Sequence, residues 1–211
     1  MKTSNLIALI VQDAPVRSHF NHMLQQATIA AILIAAIAFF SAIGFRADID
    51  TAIETGRFLF KFVITIALAV SGGLVMFRIG KPGVSLRLQA LGLLVPLILA
   101  LGAAIFELSV MPSSMWAVRM IGHNSRLCLT IIPALSLGPL ACFIVALRHG
   151  APARPALAGA VAGLMSAGIA ATFYAANCND DSPLFVLLWY PVAIAAVTTT
   201  GAFLGHAMLR W

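Results

Sequence analysis

LCLTIIPALSLGPLACFIVAL, residues 127–147, is the stretch whose reading decides the fold. It holds no charged side chain, and wound as an α-helix it extends about 31 Å, close to the roughly 30 Å of hydrocarbon in a bilayer. Pro133, Gly138 and Pro139 would count against a helix in water. In lipid an isolated segment satisfies its backbone N–H and C=O groups only as a helix, and such breakers are tolerated there. The stretch therefore predicts a membrane-spanning helix, kinked at the Pro133, Gly138, Pro139 cluster, which is a candidate hinge.

Outward from this run, five further segments are long and apolar enough to cross: Ala27–Phe45, Phe58–Phe77, Leu88–Phe106, Ala156–Ala176 and Leu184–His206. The composition agrees, with 61% hydrophobic and 9% charged residues and a mean hydropathy of +1.00, well outside the range of soluble domains. The expected fold is all-α: a polytopic membrane protein of six transmembrane helices. An even number of spans puts both termini on one side. Residues 1–25 carry Lys2, Asp13, Arg17, His19 and His22 ahead of the first apolar run, unlike a cleaved signal peptide, and read as a retained leader. The chain divides into a cytoplasmic segment, 1–25, and a six-helix domain, 26–211.

Lys and Arg are retained on the cytoplasmic side of short loops. With the N-terminus inside, the cytoplasmic flanks hold eight basic residues and one acidic, Asp13, against five basic and six acidic residues on the outer flanks. The orientation is N-in and C-in. The basic pI of about 9.9 follows from that bias and calls for no direct nucleic-acid contact. No loop is long enough for a catalytic module. Ser136 and His206, the pair an intramembrane serine protease would need, lie towards opposite ends of their spans, too far apart to share a proton. The chain reads as a non-enzyme with no resident cofactor, whose contacts are lipid and a protein partner. The pattern fixes no oligomeric state.

Of three cysteines, Cys178 follows the outer end of the fifth span and Cys128 begins the fourth beside the outer turn. Topology brings both to one depth on the face where disulfides persist. Cys142 lies fourteen residues beyond Cys128, about 21 Å along the helix, and reads as a small buried hydrophobe. Two readings stand for Cys128 and Cys178. One is a static staple closing a loop of fifty residues, worth about 3–4 kcal/mol. The other is a switch, in which oxidation, reduction or transient binding of a thiol-seeking metal changes how two helices meet. His123, Asp180 and Asp181 are near enough in sequence to supplement a metal, but the spacings match no ligand motif. Gly159 with Gly163, and Gly201 with Gly205, have the four-residue spacing of closely packed membrane helices.

At the N-terminus, Leu6, Ile7, Leu9, Ile10 and Val11 suit a short amphipathic helix ending before Pro15. Such a helix lies in the lipid interface or buries its aliphatics in a soluble partner's groove. A small-solute or ion transporter is the alternative class. Its mark, ionisable residues deep in the spans, is weak, since Lys61, Glu107 and His206 sit near span ends where side chains snorkel or face headgroups.

From Asn124 onward the chain resembles the NrsF family of six-span bacterial anti-sigma factors. The matching residues are Asn124, Cys128 and Leu129; Ile132-Pro133 with Leu135-Ser136-Leu137; Ala146-Leu147-Arg148 and Gly150-Ala151-Pro152; then Arg154-Pro155-Ala156-Leu157-Ala158-Gly159, Cys178, Asp181-Ser182-Pro183, Trp189-Tyr190 and Leu209-Arg210-Trp211. Leu6-Ile7 with Asp13 and Pro15-Val16 also fit, less specifically. The resemblance implies a membrane-held inhibitor that sequesters an extracytoplasmic-function sigma factor through its cytoplasmic segment. It further implies that Cys128 and Cys178 sense heavy metal or oxidative stress and release that partner, which moves the reading of the thiols towards the switch. On this view the sigma factor is captured by Leu6, Ile7, Leu9 and Ile10, with Asp13 and Arg17 as polar contacts.

Overall fold

A computed structural model describes residues 18–79, 87–150 and 152–209, and every regular element among them is helical. Six helices are long and apolar enough to cross a membrane. They are α1 (Ser18–Ala42), α2 (Gly56–Ile79), α3 (Leu94–Val110), α4 (Ser125–Leu147), α5 (Pro155–Ala175) and α6 (Pro183–Met208). Short helical turns at Ile49–Ala52, Arg87–Gly92, Ser113–Met115 and Trp116–Ile121 lie between them.

The six spans fall where the apolar runs place them, with one difference of consequence. Helix α1 begins at Ser18, ahead of the apolar run that starts at Ala27 and within the segment read as cytoplasmic. Leu24, Ala31, Ala35 and Phe39 are all fully buried, so the packing stripe repeats at helical spacing and carries the helix past the end of its apolar run. Leu6, Ile7, Leu9, Ile10, Asp13 and Arg17 lie outside the described residues.

Helix α5 is the centre of the bundle and packs against α1, α2, α4 and α6. It is built largely of Ala and Gly, because a helix covered on most sides must let its neighbours' backbones approach. Gly159 lies over Gly205, where a Cβ would come within 2.7 Å of a Cα atom, and a Cβ on Gly201 would meet Gly163 Cα at 3.0 Å. The two glycine pairs thus face one another across the α5–α6 seam. Helix α3 is peripheral and, among the described residues, packs chiefly against α2 and α6. Pro155 and Pro183 open α5 and α6 at positions where the missing N–H costs nothing.

Helix α4 runs unbroken from Ser125 to Leu147 through Pro133 and Pro139. Pro139 is buried, and a Cβ on Gly138 would collide with Ile34 of α1. The core divides along the bundle axis. One cluster gathers Leu24, Met76, Phe143, Leu147 and Leu209; the other gathers Phe39, Cys128, Ile132, Tyr174, Cys178 and Tyr190.

Candidate functional site: the polar rim around Cys178

The loop between α5 and α6, residues 176–182, ties the ends of all six long helices at the cysteine end of the bundle. Beyond α1, the Arg46 amide donates to the Ala176 carbonyl at 3.2 Å, and Asn177 Nδ2 donates to the Gly44 carbonyl at 3.1 Å. Gly44 has φ of +73°, the left-handed region that glycine enters without a Cβ penalty, and so turns the chain off α1 towards the loop. From α2, Lys61 Nζ donates to the Cys178 carbonyl at 2.8 Å and pairs with Asp181 Oδ1 at 2.6 Å. From α3, Glu107 Oε2 accepts from the Ser182 hydroxyl at 2.9 Å, while the same oxygen of Ser182 caps α6 by accepting from the Leu184 amide.

Arg46 closes this arrangement. Its Nε and Nη2 grip both oxygens of Asp48 at 2.7 Å, and its Nη1 reaches Asp181 at 2.9 Å and the Cys178 carbonyl at 3.3 Å. Such a bidentate fork on a carboxylate is among the stronger polar contacts a protein makes. The Arg46 guanidinium is held even more firmly protonated than usual by Asp48, and Asp48 in turn is held below the ordinary carboxylate range by Arg46. Phe58 lies beneath both cations, 5.7 Å from Arg46 Cζ and 5.2 Å from Lys61 Nζ.

Lys61 and Glu107 therefore correct the sequence-based expectation. They are 1% and 3% exposed and turn inward, instead of snorkelling to a headgroup. The reason is the loop: its carbonyls, Asp181 and Ser182 offer partners inside the bundle rim that neither residue's own helix supplies. Arg57, half exposed, faces the other Glu107 oxygen at 3.5 Å. His206 is exposed at the far end of α6.

The two thiols belong to this rim. Cys128 and Cys178 are 0% and 1% exposed, both are free thiols, and both sit in the same buried cluster. Cys142 is a free thiol, half-buried, and packs against the other cluster. A hydrogen-bonded path joins the rim pair. Cys178 Sγ contacts the Asp180 carbonyl at 3.8 Å; Asp180 Oδ2 accepts from the amides of His123 and Asn124 at 2.9 and 2.7 Å; the Asn124 carbonyl accepts from the Cys128 amide at 2.8 Å and from the Tyr174 hydroxyl at 3.3 Å. Asp180 thus neutralises the N-terminal end of α4, one turn before Cys128. Gly122, at φ +58°, leaves room for that carboxylate, since a Cβ there would come within 2.8 Å of it.

Burial pushes the Cys178 thiol above its ordinary 9.0, against the opposing pull of the Lys61 ammonium, the Asp180 backbone and the Tyr174 hydroxyl. At neutral pH the sulfur is a protonated thiol and a poor nucleophile. Alkylation of Cys178 by iodoacetamide in the intact bundle is expected to be slower at pH 7 than that of an exposed peptide cysteine by about tenfold or more, and to rise steadily above pH 9. Mass-spectrometric time courses at pH 7, 9 and 10 read this directly. Among the described residues no three His, Cys, Asp or Glu side chains are grouped as a metal site, and His123 approaches Asp180 only at 3.8 Å.

The sequence reading pointed to Cys128, Cys178, Asp180 and Asp181 but missed Arg46, Lys61, Glu107 and Ser182. One signal for Lys61 was present: a cation six positions into an apolar helix without an acidic neighbour on that helix must find its partner elsewhere.

A family model described as negative regulator of sigma F, NrsF, matches residues 9–211. An anti-sigma-F factor of Caulobacter vibrioides is 34% identical over 167 residues, covering 79% of this chain and 78% of that protein. A probable anti-sigma-F factor of Azospira oryzae is 27% identical over 166 residues, with the same coverage. No solved structure matches.

Proposed function

Because the chain belongs to the NrsF family of negative regulators of sigma F, we propose that it is a membrane-held anti-sigma factor of the bacterial inner membrane that sequesters an extracytoplasmic-function sigma factor on the cytoplasmic side. Capture rests on Leu6, Ile7, Leu9 and Ile10, with Asp13 and Arg17 as polar contacts. The cysteine rim faces outward, in keeping with the distribution of basic residues over the flanks of the spans. Reaction of Cys128 and Cys178 with a heavy metal or an oxidant releases the partner.

The observation that carries this reading is the sharing of one buried, hydrogen-bonded cluster by the two thiols, at the loop that ties the ends of all six long helices. Disulfide formation would remove two protons and two electrons to an external oxidant, and a thiophilic divalent metal would displace two protons. Either event draws sulfur out of contacts that fix the loop, so it binds one bundle arrangement better than another, as any switch must. Gly138 of α4 rests on Ile34 of α1, and in the sequence the capture segment precedes α1. Displacement of α4 at Cys128, hinged at Pro133, Gly138 and Pro139, therefore reaches the cytoplasmic side through α1. Burial of Lys61 and Glu107 in the rim supports a regulatory over a transport reading, because both ionisable groups are engaged in holding the loop.

Pull-down of the sigma factor by the full chain in nanodiscs tests both halves. The wild type is expected to retain it, and an Ile7→Asp, Ile10→Asp double variant to lose about tenfold or more of the capture. Cadmium or diamide should release the factor from the wild type and leave it bound to a Cys128→Ser, Cys178→Ser variant. Full capture by the aspartate variant would refute the binding segment, and equal release from the serine variant would refute thiol sensing.

A further inference from the structure

The connection between α3 and α4 folds into the turns Ser113–Met115 and Trp116–Ile121, yet no residue of either turn is buried. Every residue from Pro112 to Val118 is exposed, and so are Met120 and Ile121. Met115, Val118 and Ile121 recur at a spacing of three and share one face, on which Val118 and Ile121 are 58% and 59% exposed. A contiguous apolar surface of this kind marks a place where something other than water is bound.

What covers it follows from position, apolar continuity and charge. Val110 ends one membrane-spanning helix and Ser125 begins the next, so both ends of the segment are held at the boundary of the hydrocarbon. The apolar surface runs on into the lipid-covered flanks of those spans, through the exposed Phe106 and Val110 of α3 and Leu127 of α4. Between Glu107 and Arg148 the charged side chains are Arg119 and Arg126, both cations, and no carboxylate stands among them to repel a phosphate. Trp116 donates its indole N–H to the Met111 carbonyl at 3.1 Å, which leaves the apolar body of the ring free for the interface where tryptophan is enriched.

We propose that residues 110–121 are a phospholipid-binding surface, with Met115, Val118 and Ile121 seated among the headgroup ends of the acyl chains and Arg119 and Arg126 on phosphate, and that this seat holds the thiol rim closed. The segment is tied to the rim by backbone contacts. Trp189 of α6 donates its indole N–H to the Met120 carbonyl at 2.9 Å, and the Gly122 amide donates to the Val118 carbonyl at 3.0 Å. The next two amides, of His123 and Asn124, hold the Asp180 carboxylate, and the Asp180 carbonyl meets Cys178 Sγ. Lifting the segment out of the lipid therefore strains the contacts that close over Cys178. The seat stands on the exposed segment and is independent of sigma-factor capture and of metal or oxidant sensing.

Brominated phospholipids in nanodiscs holding the full chain test the seat, with Trp116 read as the difference between the wild type and Trp116→Phe. Its fluorescence is expected to fall about twofold or more with bromine near the headgroup end of the acyl chains, less with bromine near the methyl end, and little with aqueous iodide. Val118→Asp with Ile121→Asp, both at exposed positions, should abolish the bromine quenching and raise the rate of Cys178 alkylation by iodoacetamide about fivefold or more. Quenching by iodide and not by bromine in the wild type would overturn the seat, as would bromine quenching that survives in the double variant. A wild-type dimer that the double variant converts to monomer would also overturn it, making the face a contact between two copies. Unchanged Cys178 alkylation in an unseated double variant would overturn the hold on the rim.

Discussion

Asp181→Ala is expected to destabilise the bundle by about 3–5 kcal/mol, the cost of leaving a buried charge without its partner. Asp181 is the only carboxylate paired with Lys61 among the described residues, at 2.6 Å, and the Lys61 side chain is 2% exposed. After the substitution the ammonium keeps the Cys178 carbonyl but has no counter-charge. Arg46 suffers less, because its fork on Asp48 remains. The difference yields a specific test by double substitution. Adding Lys61→Met removes the orphaned charge while keeping most of its apolar stem, so the double variant should regain a large part of the loss. Unfolding of the single and double variants by SDS titration in mixed micelles measures both. A double variant no more stable than Asp181→Ala would show that the pair is not what holds the loop.

Gly201→Val should cost about 3 kcal/mol or more and separate α5 from α6, at the upper end of overpacking penalties. The added atoms meet backbone on the facing helix, the carbonyl of Gly159 and the Cα of Gly163, neither of which can rotate aside. Gly159→Val meets Gly205 in the same way and should behave alike. Gly102→Ala on α3 provides the opposite sign, because a Cβ there finds no atom within 4 Å and alanine is the better helix former by about 0.5–1 kcal/mol. Thermal unfolding of the three variants in one detergent ranks them. A tolerated Gly201→Val would mean the seam is looser than its geometry.

Much of the fold was legible because lipid imposes so few solutions. Runs such as 127–147 can cross only as helices, and α4 keeps its helix through two prolines for that reason. The glycine spacings likewise marked α5 and α6 as closely packed helices, whereas that the two pairs face each other was fixed only by the packing. Helix α1 runs beyond its apolar stretch because hydropathy marks where a helix leaves the hydrocarbon, and has no bearing on where the helix ends. At the rim the thiols and both aspartates were visible as a polar island, whereas Arg46, Lys61, Glu107 and Ser182 lie 132, 117, 71 and 4 positions from Cys178 or on other helices, and only their side-chain directions unite them.

The sequence by itself determined six apolar helices, the end of the bundle to which Cys128 and Cys178 belong, and the family of sigma-factor regulators that the chain resembles. Tertiary structure alone decided that Lys61 and Glu107 turn inward to the 176–182 loop, and that Cys128 and Cys178 share one buried cluster with Tyr174 and Tyr190. The physical reason is that lipid selects for hydrophobicity and length, which are properties of a segment. A buried polar group is satisfied by partners far along the chain, and those are fixed only when the helices pack.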